Sequence, residues 1–147
     1  MSEKKYFEKM IEEIQSKIDL DEEADFSKKV INEYRNPSNF GVIEKADAMG
    51  KVKGSCGDTM KITLKVENDR VVDVCFWTDD CGTSIACGSM LTKMIKGKTT
   101  DEASAVTSEE LKNALGGLPD NYVHCAVLAV DTLHKAIENY LSSALKE

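Results

Sequence analysis

The stretch Met60-Lys61-Ile62-Thr63-Leu64-Lys65-Val66-Glu67-Asn68-Asp69-Arg70-Val71-Val72-Asp73-Val74-Cys75-Phe76 decides the fold. Met60, Ile62, Leu64 and Val66 alternate with Lys61, Thr63, Lys65 and Glu67, the period-two pattern of a strand with one buried face. Asn68-Asp69 is turn chemistry. Val72, Val74 and Phe76 then alternate with Asp73 and Cys75, so a second strand returns beside the first as a hairpin. Residues 49–56 read as a further strand before it.

Downstream of Asp79-Asp80-Cys81-Gly82 the period becomes helical and stays so. Ser84, Cys87, Gly88, Leu91, Met94 and Ile95 form one stripe, which Gly97 ends. Thr107 and Glu110 make a capping box for a short helix through Leu115, broken by Gly116-Gly117-Leu118-Pro119. The last helix runs from about Cys125 to Leu145, with Ala126, Val130, Leu133, Ile137, Tyr140 and Ala144 toward the core. Upstream, Phe26, Val30, Ile31 and Tyr34 mark a helix with Asp25 as its N-cap, ending before Asn36-Pro37 because the residue preceding proline avoids the helical region. Gly41 and Gly50 punctuate a loop. Phe7, Met10, Ile11, Ile14 and Ile18 give an amphipathic helix over residues 3–18, and the acidic run Asp19 to Asp25 reads as a linker. The chain therefore divides into an N-terminal helix with its linker, residues 1–24, and a main domain, residues 25–147. The order predicts an α+β domain: a small antiparallel sheet of about three strands with helices packed on one face, plus the extra N-terminal helix.

The composition narrows the function classes. The chain has 147 residues, 41% hydrophobic and 31% charged, enough for one domain with a real core. Its net charge of −7 argues against a general nucleic-acid or anionic-membrane binder. Residues 1–25 hold four lysines and nine acids, so the rest of the chain is close to neutral. No apolar run approaches the roughly 18 residues of a membrane span. The start, Met-Ser-Glu-Lys-Lys-Tyr, has no apolar signal region, and a cytoplasmic location is expected.

Five cysteines carry the chemistry: Cys56, Cys75, Cys81, Cys87 and Cys125. In a reducing cytosol such thiols are metal-binding, catalytic or simply buried rather than disulfide-bonded. Three sit at boundaries between elements, where side chains can converge on a ligand: Cys56 in Cys56-Gly57-Asp58, Cys81 before Gly82, and Cys125 after His124. Cys81 and Cys125 fall near helix starts, where the helix dipole favours thiolate. Three soft sulfurs, an imidazole and a carboxylate suit iron–sulfur or zinc chemistry and suit magnesium or calcium poorly. The gaps are long and no Cys-x-x-Cys pair exists, so spacing leaves a metal site and ordinary burial both open. That absence also speaks against a thiol redox enzyme. Cys87 lies on the apolar stripe about 600° around the helix from Cys81 and reads as core. Cys75 reads as a packed or half-exposed strand thiol, and His134 as a surface residue.

From about Phe26 to Tyr140 the chain resembles the IscU/NifU-type iron–sulfur cluster assembly scaffolds. The resemblance rests on Lys29-Val30-Ile31-Asn32-Glu33-Tyr34-Arg35-Asn36-Pro37, Cys56-Gly57-Asp58-Thr59-Met60-Lys61, Cys81-Gly82-Thr83-Ser84-Ile85-Ala86, Lys96-Gly97-Lys98, Asp101-Glu102-Ala103, and Leu118-Pro119 through His124-Cys125. It implies a ligand set of Cys56, Asp58, Cys81, His124 and Cys125 for a transient [2Fe–2S] cluster. The cluster would be built from iron and desulfurase-derived sulfur and handed to apo acceptor proteins. The protein would be an assembly scaffold rather than an enzyme with turnover of its own. The resemblance further implies that Asp58 is an alternative ligand or keeps the cluster labile, and that Cys125 accepts persulfide from a cysteine desulfurase. Many bacterial members read Leu-Pro-Pro-Val-Lys before the His-Cys, a segment that docks an Hsp70-type chaperone. Here the chain reads Leu118-Pro119-Asp120-Asn121-Tyr122, which puts that partner in doubt. Phe26 stands where many relatives have tyrosine. The stripe of the first helix is expected to pack on its own domain or on a twin chain, making a homodimer one candidate assembly. The same residue types bind zinc well, so the rival reading is a zinc-bound sulfur-transfer protein that takes persulfide from a desulfurase and builds no cluster.

Overall fold

The structure, a computed structural model, describes residues 26–54, 57–79 and 82–145. The helix expected over residues 3–18 and the acidic linker lie outside these residues, and Ser27 rather than the expected Asp25 caps the helix that follows.

The first described helix, α1, is Lys28–Arg35. Ser27 caps it, its hydroxyl oxygen accepting the Val30 N–H at 3.1 Å. The same hydroxyl donates to the Leu115 carbonyl, tying the entry of α1 to a distant turn. The helix ends at Asn36, before Pro37, as the proline requires.

Three strands follow: β1 (Ala48–Lys53), β2 (Thr59–Glu67) and β3 (Arg70–Thr78), antiparallel and in the order β1-β2-β3. At the hairpin turn Asn68 and Asp69 have φ of 51° and 63°, the doubly left-handed geometry whose twist matches the strands it joins. Beyond it the register slips. Lys65 faces Asp73 but Val66 faces Val71, so Val72 is an extra residue on β3. A bulge of this kind reverses the facing of the residues beyond it. Val71 is therefore buried and Val72 is 39% exposed, which corrects the inward placement expected of Val72.

The helical half comprises α2 (Gly82–Ile95), α3 (Thr100–Ser104), α4 (Ser108–Ala114) and, after a 3-10 turn at Asp120–Tyr122, α5 (Val123–Leu145). The last helix starts two residues before the expected Cys125. Helix α3 was not legible from periodicity, yet Thr99 and Glu102 give it a complete capping box, with N–H to side-chain contacts of 3.1 and 3.0 Å. At Thr107 the hydroxyl accepts the Glu110 N–H at 3.1 Å and meets the Glu110 carboxylate at 3.3 Å.

Helices cover one face of the sheet. The inward row Gly50–Ile62–Phe76 shows how closely. A Cβ on Gly50 would lie 2.4 Å from the Ala136 nitrogen and 2.5 Å from the Thr132 oxygen, so the backbone of α5 lies directly on β1. Gly50 thus sits inside a strand rather than in a loop. A Cβ on Gly88 would lie 2.3 Å from the Phe76 ring, so α2 approaches β3 almost as tightly. Every residue from Gly82 to Ser89 is buried, because α2 packs on α1, β3 and α5 at once. Its small residues, Gly82, Ser84, Ala86, Gly88 and Ser89, make that possible. The α1–α2 contact includes a buried carboxylate: Glu33 accepts from Ser89 Oγ at 2.8 Å and from Lys93 Nζ at 2.6 Å.

Residues 39–47 cross the other face. Phe40 bridges to Phe76 at the β3 edge, and the Ile43 N–H donates to Thr63 Oγ1 at 3.0 Å in mid-sheet. Asp47 then reaches β2, its N–H donating to the Leu64 carbonyl and its carboxylate accepting the Val66 N–H, both at 2.8 Å. Thr63, on the outward face, is consequently only 2% exposed. Among the described residues no helix is long and apolar enough to cross a membrane.

Candidate metal centre

Two antiparallel pairings bring Asp58, His124 and Cys125 toward one end of the described fold. Met60 faces Thr78, so the chain entering β2 and the chain leaving β3 run side by side. Thr59 N–H donates to Asp79 Oδ1 at 2.8 Å, Asp79 N–H donates to the Thr59 carbonyl at 3.3 Å, and Thr78 Oγ1 donates to that carbonyl at 2.9 Å. Asp58, half-buried, immediately precedes this junction. The β1–β2 connection is tight: Gly54 N–H donates to the Asp58 carbonyl at 2.6 Å and Gly57 N–H to the Gly54 carbonyl at 3.0 Å. Gly57 has φ of 88°, a conformation that glycine adopts without steric cost.

The second pairing is α5 on β1. Gly50 lies against Thr132 and Ala136, and Gly54 against Leu128, so the helix runs antiparallel to the strand. Its first turn therefore points toward the β1–β2 connection. That turn carries His124, half-buried, and Cys125, fully buried. Cys125 Sγ lies 3.6 Å from His124 Nε2, within reach of a sulfur–imidazole hydrogen bond. Cys125 is the third residue of α5, inside the turn where the helix's partial positive charge is concentrated.

Of the five expected ligands, Asp58, His124 and Cys125 are described; Cys56 and Cys81 lie outside the described residues. Among the described residues His124 and Cys125 come together, and no group of three His, Cys, Asp or Glu side chains could hold a metal. The donor chemistry of the described three, a sulfur, an imidazole nitrogen and a carboxylate oxygen, fits iron or zinc and not a hard cation. The remaining thiols are elsewhere. Cys87 is buried in the core of α2. Cys75 is half-buried on the outward face, where burial, aided by the Asp73 carboxylate and opposed by Lys96, pushes its thiol above the ordinary range. His134 is exposed on α5.

The 3-10 turn leading into α5 packs Tyr122 against Phe26, the rings tilted by 57° with centroids 5.1 Å apart. Beside it lies an open groove of about 420 Å³ lined by Phe26, Ser27, Gly116, Gly117, Leu118 and Pro119, with none of the candidate ligands in its wall. In the sequence Asp79 only opens the stretch after which the period turns helical; its carboxylate bond to the Thr59 N–H is visible only in the pairing.

Residues 25–147 match the model of the NifU-like N-terminal domain. The chain belongs to the NifU-like N-terminal domain family. As a NifU-like domain it is 46% identical over 116 residues to the iron–sulfur cluster assembly scaffold protein IscU 1 of Archaeoglobus fulgidus, covering 78% of this chain and 76% of that one. It is 44% identical over 120 residues to the scaffold protein IscU of Aquifex aeolicus, covering 80% and 76%. It is 40% identical over 125 residues to the nitrogen fixation protein NifU of Azotobacter chroococcum, covering 83% of this chain but 40% of that longer protein. Among solved structures, a proposed iron–sulfur cluster assembly scaffold for the SUF system of Fervidobacterium islandicum matches this NifU-like domain with a TM-score of 0.62. That match has 26% identity and covers 76% of this chain and 96% of the other.

Proposed function

We propose that this NifU-like domain is a scaffold on which a [2Fe–2S] cluster is assembled and from which it passes to apo acceptor proteins. The observation that carries the reading is the His124–Cys125 pair in the first turn of α5, directed toward the end of the sheet where β2 begins and β3 ends. The scaffold relatives at 44–46% identity support it. Cys56, Cys81 and Cys125 serve as thiolate ligands, with His124 or Asp58 completing the set. A ligand that alternates between nitrogen and oxygen gives a cluster that can leave, which a scaffold needs and a ferredoxin does not. Residues 1–24 precede the family match, and we read them as a segment separate from the scaffold domain.

Cys125 is also the persulfide acceptor. His124 Nε2, 3.6 Å from the sulfur, takes the thiol proton, because only thiolate is nucleophilic or metal-binding. The thiolate attacks the terminal sulfur of a cysteine desulfurase persulfide; a new S–S bond forms on Cys125 and the desulfurase leaves as thiolate. Two such sulfurs, each at the zero oxidation level, need four electrons to become sulfide. Two ferrous ions becoming ferric supply two, and an external electron donor supplies the others. The chain itself turns nothing over; it holds, orients and releases.

The test is cluster loading in single variants. Cys56→Ser, Cys81→Ser and Cys125→Ser should each lose stable cluster while keeping the native circular dichroism spectrum. Wild-type loading in any one removes that residue from the ligand set. Asp58→Ala should lengthen the life of the bound cluster; a shorter life contradicts its role. A chain that holds zinc and accepts sulfur, yet shows no cluster chromophore after zinc removal, is the sulfur-transfer protein of the rival reading.

A further inference from the structure

On the outward face of the sheet, the side away from the helices, Lys51 of β1 faces Lys61 of β2, and Lys61 faces Trp77 of β3. Lys53, on the same face of β1, faces Thr59. Lys51 and Lys53 are exposed; Lys61 and Trp77 are half-buried, the Lys61 ammonium lying 5.1 Å from the centre of the Trp77 ring. Like charges directly opposite one another destabilise a sheet. Nothing in the fold offsets them. Farther along the face Asp73 is taken by Lys96 at 3.6 Å and Asp47 by Lys65 at 3.9 Å, and Asp79 accepts the Thr59 N–H. Among the described residues none of the three lysines has an ion pair. Lysines on an edge strand guard it against pairing with another sheet, which accounts for Lys51 and Lys53. That does not account for Lys61, which stands on the central strand opposite a like charge. A local rule broken without compensation inside the fold marks a place shaped by function.

We propose that this face is a docking surface for an acidic segment of a partner protein, whose carboxylates supply the ion pairs that Lys51, Lys53 and Lys61 lack within the chain. Trp77 adds a flat, rigid apolar contact beside them. The occupant follows from the distribution of charge. The chain as a whole carries −7, and the basic patch is confined to three lysines. Exposed charges act over roughly 8 Å at physiological salt, so a protein segment seated on this face meets the lysines and little else. A nucleic acid or an anionic membrane runs past the patch and meets an otherwise acidic chain. Lys53 adjoins Gly54, and Thr59 opposite it follows Asp58, so the docked segment sits beside the β1–β2 connection. Docking of this kind rests on charge and stands whether or not the metal centre loads a cluster.

Trp77 is the only tryptophan of the chain, so its fluorescence reports on this face directly. The experiment titrates the full chain with a synthetic peptide of aspartate and glutamate residues, and in parallel with a single-stranded oligonucleotide of equal charge and with phosphatidylserine-containing vesicles, at rising salt. The peptide should shift the Trp77 emission saturably, with an affinity that falls as salt rises. Lys51→Glu and Lys61→Glu should each weaken it about tenfold, whereas Lys28→Glu, the same charge change on the exposed side of α1, should leave it within about twofold. Lys51→Glu relieves the repulsion with Lys61, so its melting temperature should rise while its affinity falls, which separates lost docking from lost fold. No saturable shift in the unsubstituted chain overturns the proposal, as does parent-like affinity in Lys51→Glu. Equal weakening by Lys28→Glu overturns it too, since net charge alone would then explain the binding. Oligonucleotide or vesicle binding as tight as that of the peptide overturns the acidic protein segment as the occupant.

Discussion

Replacing Gly50 by alanine places a methyl group where α5 already stands. The new Cβ would lie 2.4 Å from the Ala136 nitrogen, 2.5 Å from the Thr132 oxygen and 2.9 Å from the Ala136 Cα. Ordinary contact lies near 3.5 Å, so about 1 Å of separation must be found. All three obstructing atoms are backbone, and no rotamer change relieves them. Either α5 lifts off β1 or the strand bends away, and both loosen Leu128, Leu133 and Ile137 on the sheet. Overpacking of this kind costs about 1–3 kcal/mol, and backbone obstruction puts Gly50→Ala near the upper end. Removing a strand glycine returns roughly 0.5–1 kcal/mol, leaving a net loss of about 2 kcal/mol. Guanidinium unfolding followed by circular dichroism measures it as a lower midpoint at unchanged slope. The first turn of the displaced helix carries His124 and Cys125, so cobalt affinity should fall as well. Stability within about 0.5 kcal/mol of the parent, the range of an ordinary surface change, would refute the close seating of α5 on β1.

Other outcomes follow from the same geometry. Glu33→Gln removes the charge of a buried carboxylate held by Ser89 and by the exposed Lys93 and should cost about 1.5–3 kcal/mol in chemical denaturation; a neutral result would contradict that anchoring. Lys51 directly faces Lys61, which itself lies 5.1 Å over the Trp77 ring, so Lys51→Glu should stabilise the sheet by about 0.2–1 kcal/mol, read as a higher melting temperature. The Cys75 thiol is raised first by burial and then by Asp73, so it should alkylate more slowly in the native chain than in urea at neutral pH, and faster in Asp73→Asn; mass spectrometry of the labelled peptide decides. A raised folded value means that its contribution to stability is complete below the unfolded thiol range and is lost as pH rises through the folded one.

The hairpin was legible because Met60 to Val66 alternates without a break, and the break into helix after Asp79 was equally plain. Val72 misled because Val71 and Val72 are both apolar; only the register with Lys65 and Val66 tells which is the bulged residue. Ser27 and Asp25 are equally good cap types, so the choice fell to which residue meets the Val30 N–H. Helix α3 is too short to show a period, and only its Thr99–Glu102 box could have announced it. The α2 stripe understated the burial of that helix, since small residues on its other faces signal close approach only once α1 and α5 are in place. The strap over residues 39–47 has no repeating pattern at all. At the site, His124 beside Cys125 was legible from adjacency alone, whereas the bond from the Thr59 N–H to Asp79 required knowing that Thr59 lies opposite.

Whether this NifU-like domain builds a cluster and delivers it is decided by one anaerobic time course. Protein, ferrous iron, cysteine, a reductant and a cysteine desulfurase are mixed, and an apo-ferredoxin is then added while visible absorption is followed. The account predicts a chromophore that grows on this chain and then moves to the ferredoxin. A chain that takes up sulfur without ever developing cluster absorption, even when stripped of zinc, would contradict it.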